Sequence, residues 1–142
     1  MKVKIALGTL MLAVVVLFNP FYWNQQQALA GKGEWKAPAW ADTLKSSLVG
    51  TEKAVQAGQK IYAQLCAICH GNSGKGDGVA GMALNPRPAD LTSERVQKQS
   101  DGAIYWKITT GRPPMASYQA SLTDEQRWQL VAYIRSLAKK KK

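Results

Sequence analysis

Cysteine, histidine and acidic side chains are all scarce in this chain. Its 142 residues include two cysteines, one histidine and nine carboxylates. A structural zinc site needs about four protein ligands, and no second Cys/His pair is present to complete one. A metal held by two histidines is excluded by counting, since His70 stands alone. Nine acidic residues against 19 basic ones leave a formal net charge of +10. Much of that excess is terminal: Lys2 and Lys4 open the chain and Lys139 to Lys142 close it. With residues 1–30 set aside, 17 basic residues face nine acidic ones, a formal +8. No basic helix stripe interleaved with aromatics is present, so nucleic acid is not an expected partner. A mildly basic body suits acidic proteins or an anionic membrane surface.

Long apolar runs are equally scarce, and the one that stands out lies at the N-terminus. Lys2 and Lys4 precede Ile5 to Phe18, which is apolar apart from Gly8 and Thr9. Asn19, Pro20 and three glutamines end the run, and Ala28-Leu29-Ala30 supplies a small-x-small pattern. This is the order of a secretory signal peptide. A membrane anchor is the alternative, because Phe21-Tyr22-Trp23 can extend the run toward the roughly 20 residues a span requires. Either reading of residues 1–30 places the remainder outside the cytoplasm, in the periplasm or on the extracytoplasmic face of the membrane.

Residues 31–50 read as an extension or linker punctuated by Gly31, Gly33, Pro38 and Gly50. Trp35 and Trp40 are unusual in a free linker and are expected to lie against the domain or a partner. Residues 51–138 read as one domain, followed by the basic tail 139–142. Thr51 can cap a helix running to Leu65, with Ala54, Val55, Gly58, Ile61, Tyr62 and Leu65 on one face. Gly58 weakens a helix relative to alanine, and close approach of another helix is the simplest reason for it. Residues 71–90, rich in glycine and then proline, read as loop. A short helix is expected over Ser93 to Lys98, and another from a Ser100 cap to Thr110 with Gly111 as its stop. Thr123-Asp124-Glu125-Gln126 has the capping-box pattern, and Leu130, Val131, Ile134 and Leu137 form the apolar face of the helix it starts. Strand alternation and internal repeats are both missing, so the expected class is all-α.

The chemistry concentrates in Cys66-Ala67-Ile68-Cys69-His70. Two thiols three residues apart can each add across one haem vinyl group, and the following histidine can reach the iron on one face. A thioredoxin-like pair would need a βαβ setting, and a lone disulfide would leave His70 unexplained. The expected cofactor is therefore one covalently attached haem c with its iron. Methionine is the soft ligand left for the opposite face. Met1 and Met11 lie in the export segment, and Met82 follows His70 by only 12 residues in the glycine-rich loop. Met115 follows by 45 residues in Gly111-Arg-Pro-Pro-Met115, where two prolines stiffen the approach, and it is the expected ligand. Core packing is the expected role of Met82.

These features, in this order, resemble the class I mono-haem c-type cytochromes. The matching segments are Gly58-Gln-Lys-Ile-Tyr62, Cys66-Ala-Ile-Cys-His70-Gly71, Gly76-Asp77-Gly78, Leu84-Asn-Pro-Arg-Pro-Ala-Asp-Leu91, Gly111-Arg-Pro-Pro-Met115 and Trp128-Gln-Leu-Val-Ala-Tyr133-Ile. The resemblance implies about four helices around one covalent haem, with Gly58 against the helix face bearing Leu130 and Tyr133. It also implies that His70 gives its second ring N–H to a proline carbonyl, for which Pro86 is the candidate. Here the prolines precede Met115 and Ala116 follows it, whereas the family often has proline after the methionine.

With His70 and Met115 both on iron, no position is open for substrate, and single-electron transfer is the expected function, as a carrier or as the cytochrome subunit of a respiratory complex. Redox proteins are the expected partners, and no enzymatic constellation accompanies the haem motif. Asp77 and Asp90 read as turn residues. Two other readings remain: a ligand-binding haem protein with an open or weakly ligated sixth position, and a haem domain serving an enzyme in trans.

Overall fold

The computed structural model describes residues 33–139. The export or anchor segment 1–30 and the tail residues 140–142 lie outside the described residues. The chain divides into two compact units, Met1–Trp35 and Lys36–Lys142. Of the first, only residues 33–35 are described.

The second unit is helical. A 3-10 helix spans Ala39–Thr43, followed by α1 (Glu52–Leu65), α2 (Ala67–His70), a single 3-10 turn (Gly81–Ala83), α3 (Glu94–Gln97), α4 (Asp101–Thr110) and α5 (Asp124–Lys139). Among the described residues there is no strand, only an isolated bridge between Arg112 and Met115. No described helix is long and apolar enough to cross a membrane.

The helix starts follow from side-chain caps. The Thr51 hydroxyl accepts from the Ala54 N–H at 3.4 Å, and the Ser100 hydroxyl from the Ala103 N–H at 3.0 Å. Thr123 and Gln126 form the reciprocal capping box, at 2.9 and 3.2 Å. Each satisfies backbone donors that a helix cannot satisfy internally.

The core forms where α1 crosses α5. Leu130, Val131, Ile134 and Leu137 of α5 are buried with Tyr62 of α1 and Ile104 and Ile108 of α4. At Gly58 the helices touch backbone to backbone: a Cβ there would overlap the Gln129 carbonyl and press on Tyr133. One turn on, the Tyr62 and Tyr133 rings lie 5.0 Å apart with a 54° tilt. The α3–α4 corner is tied to α5 by Arg135, which donates to Asp101 at 2.7 Å and to the Gln97 carbonyl at 2.8 Å.

The segment read as an extension is part of this domain from residue 39 onward. Ala41 is fully buried, and Gly102 of α4 packs against its carbonyl and against Leu44. The Asp42 carboxylate accepts from the Ser100 hydroxyl. Trp40 does not follow its backbone inward: the residue is 57% exposed, which leaves the partner half of the expectation open.

Candidate functional site

The haem motif sits where α1 ends. The Cys66 N–H still donates to the Tyr62 carbonyl at 2.9 Å, but the backbone opens there to φ −111°, ψ −35°, and the chain restarts as the single turn of α2. Within that turn the Cys69 and His70 N–H groups both point at the Cys66 carbonyl, at 3.1 and 2.8 Å. Residues three apart on a helical turn share a face, so the two cysteines stand side by side. Both are free thiols and half-buried. Burial, helped by Cys69, pushes the Cys66 thiol up to about 12. Redox-active pairs work through a lowered thiol pKa. Cys66 has the opposite setting.

His70 is held in one tautomer. Its Nδ1 lies 3.2 Å from the Ala89 carbonyl oxygen. A carbonyl only accepts, so Nδ1 carries the proton and the lone pair rests on Nε2. Burial lowers the ring's pKa, against the smaller opposing effect of the Ala89 bond, and favours the neutral, ligating form. A neutral imidazole with its second nitrogen anchored on a backbone carbonyl is the usual state of a metal-bound histidine. Two thiols and this imidazole on one turn therefore fit a covalently attached haem. No cluster of three or more His, Cys, Asp or Glu suited to another metal exists among the described residues.

Ala89, and not Pro86, is the carbonyl partner of His70, which corrects the expectation drawn from the resemblance. The loop geometry explains it. The Leu91 N–H donates to the Gly74 carbonyl at 2.6 Å, and Gly76 lies against the Pro88 carbonyl with φ +77°. Residues 88–91 thus run alongside 74–76 and bring Ala89 level with the ring. Pro86 belongs to the preceding turn.

The glycine-rich loop has a second task that its composition does not reveal. Gly76, Gly78 and Ala80 donate their N–H groups to the carbonyls of His70, Cys69 and Ile68, at 2.8, 3.1 and 3.0 Å. The last carbonyls of the turn that carries the two cysteines and His70, which α2 is too short to satisfy, are capped this way. Met82 rides on the same loop and is 56% exposed, so it does not pack in the core as expected. Leu65, Ile68 and Val79 are also exposed. Ile68 belongs to the motif, Val79 and Met82 to the loop that caps it, and Leu65 ends α1 just before it.

Met115 closes a turn after α4. Arg112 and Met115 exchange backbone bonds, at 3.0 and 2.8 Å, and Met115 is half-buried. The loop folds back on α4 through Ser117, whose hydroxyl donates to the Thr109 carbonyl at 2.7 Å, and through the Tyr118 N–H, which donates to the Ile108 carbonyl at 3.2 Å. Two tyrosines also belong here: Tyr62, which the sequence placed only on the apolar face of α1, and Tyr118, which sequence reasoning passed over. The Tyr62 hydroxyl donates to the Gly71 carbonyl at 2.8 Å, directly after His70. The Tyr118 hydroxyl donates to the Leu65 carbonyl at 3.2 Å, directly before Cys66. The only signal for Tyr118 was an aromatic placed three residues after Met115 in a short-side-chain stretch.

Comparison with known proteins points the same way. The family model described as cytochrome c oxidase, cbb3-type, subunit III, matches residues 53–134. The cytochrome c-554(547) of Halothiobacillus neapolitanus is 36% identical over 90 residues, covering 57% of this chain and 93% of the relative. Among solved structures, a chain of the reducing HAO-like protein complex of Kuenenia stuttgartiensis superposes with a TM-score of 0.55 at 34% identity, over 61% of this chain. The match spans 44% of that longer chain.

Proposed function

Since the chain belongs to the cytochrome c oxidase, cbb3-type, subunit III family of mono-haem c-type cytochromes, we propose that Cys66 and Cys69 attach its haem, that His70 and Met115 ligate the iron, and that it passes electrons between proteins outside the cytoplasm. Covalent haem c, electron transfer and redox partner proteins come with the family. When bound, the haem supplies an iron centre that gains and loses one electron. The chain's own contribution is to place and tune it.

The observation that carries this reading is the Nδ1–Ala89 bond at 3.2 Å, which presents Nε2 as a preformed ligand beside the two cysteines. The Ala89 carbonyl fixes the ring plane and raises the basicity of Nε2. Tyr62, bonded to Gly71, fixes the chain just after the histidine. Methionine as the second ligand raises the potential, and axial ligands set haem potentials over a range of roughly 0.8 V. Export or anchoring through residues 1–30 accounts for the compartment. Together with Trp40 on the surface, it favours a tethered or complex-bound form over a free carrier.

The test is the second ligand. Oxidised Met115→Ala protein is expected to lose the weak sulfur-to-iron band at the red end of the visible spectrum, to gain carbon monoxide binding when reduced, and to fall in potential. Met82→Ala is the matched control and leaves all three unchanged. Carbon monoxide binding by the unmutated reduced protein would instead assign it to ligand binding.

A further inference from the structure

Tyr118 touches three elements at once. Its backbone N–H donates to the Ile108 carbonyl near the end of α4, at 3.2 Å. Its carbonyl accepts from the Leu122 N–H at 3.1 Å and from Arg127 Nη1 of α5 at 3.5 Å. Arg127 is buried and also donates to the Gln119 and Leu122 carbonyls, at 3.0 and 2.8 Å, so the main chain after the methionine loop is firmly anchored. The side chain does something else. It reaches across to the Leu65 carbonyl, in the last turn of α1, one residue before the first haem thiol.

We propose that Tyr118 is a positioning residue for the sixth ligand: its hydroxyl ties the methionine-bearing loop to the end of α1 beside the cysteine pair, and so keeps Met115 in its ligating position. The inference rests on the Met115 reading. Two further observations support it. The tyrosine is half-buried between these elements, and burial pushes its pKa up. The Leu65–Tyr118 bond joins residues 53 positions apart, so its loss frees the loop from the attachment turn without breaking any local bond of either. The main-chain anchors to α4 and α5 do not depend on the hydroxyl. Tyr118→Phe therefore removes the tie alone and leaves the ring and the fold in place.

The experiment uses the full-length oxidised holoprotein and imidazole as a competitor for the methionine position. Tyr118→Phe is expected to bind imidazole about threefold more tightly than the unmutated protein, the equilibrium equivalent of part of one net hydrogen bond. The sulfur-to-iron band should weaken at lower imidazole concentration in parallel. Thr51→Ala is the comparison: it removes the α1 cap at the far end of the same helix and lowers the melting temperature, but leaves imidazole affinity unchanged. Unaltered imidazole affinity in Tyr118→Phe overturns the inference. An equal gain in Thr51→Ala also overturns it, because the effect would then be global stability. Met115→Ala separates the two readings. If it keeps the band, the ligand assignment has failed and this inference falls with it. If it loses the band while Tyr118→Phe matches the unmutated protein, only the inference has failed.

Discussion

The α1–α5 crossing and the loops around the cysteine pair both depend on glycine and tyrosine, but for different reasons. At the crossing, Gly58 is needed because another helix backbone occupies the space of a side chain, and the buried tyrosine pair fills the next layer. Around the cysteines, the loop's backbone amides cap the orphan carbonyls of a four-residue helix, and tyrosine hydroxyls bond single carbonyls on either side of the motif. The first region is held by apolar area removed from water, the second by directed hydrogen bonds. The crossing should therefore govern whether the protein folds, and the loops should govern how the iron behaves.

The sharpest break in that division comes from Gly58→Ala. Alanine recovers about 1 kcal/mol of helix propensity. Forcing a methyl group into the Gln129 carbonyl costs about 3 kcal/mol or more, since backbone cannot give way as a side chain can. The net loss expected is at least about 2 kcal/mol, read from the urea midpoint of the holoprotein, with the spectrum of the folded fraction unchanged. A stabilised variant would mean that the helices are not in contact at that point.

Tyr62→Phe probes the residue that belongs to both regions. Its ring packs at a tilt against Tyr133 in the crossing and its hydroxyl holds the Gly71 carbonyl. Removing the hydroxyl takes away one of the two donors to the Gly71 carbonyl, the other being the Gly74 N–H at 3.1 Å, at a cost of about 1–1.5 kcal/mol. Unlike Gly58→Ala, it should also shift the reduction potential, because Gly71 adjoins His70. A change in stability with no change in potential would assign Tyr62 wholly to the crossing.

The smallest effect is expected from Thr123→Ala, at the start of α5. The capping box is lost at a cost of about 1 kcal/mol. Denaturant unfolding should register that cost, while potential and spectrum stay constant. A spectral change would show that the start of α5 reaches the iron site.

The features legible from the chain alone share a short range. Cys66, Cys69 and His70 fall within one helical turn, and Thr123 meets Gln126 three residues on. The caps at Thr51 and Ser100 act on amides three residues away, and the apolar faces repeat every turn. Each of these is decided by neighbours along the chain, which is why the helices, the haem motif and the need for a contact at Gly58 could be read before any fold was known. Counting did the rest: one histidine and no second cysteine pair left few chemistries open.

What escaped depends on residues far apart in sequence. The partner of His70 lies 19 positions away, and only the register between residues 74–76 and 88–91 selects Ala89 over Pro86. Nothing local to Met82 announces that it faces solvent, because burial depends on what packs over a residue. The 3-10 helix Ala39–Thr43 joins the domain through Gly102, some 60 positions later, and its own composition reads as linker. Tyr118 finds Leu65 only after α4 and the methionine loop have folded back toward the end of α1. By itself the sequence determined the haem chemistry and the helices that carry it, because covalent spacing and helical period are local properties. The tertiary structure alone decided which carbonyls orient the histidine and tie down the methionine loop, because a hydrogen bond of about 3 Å is selected by the final packing of distant segments.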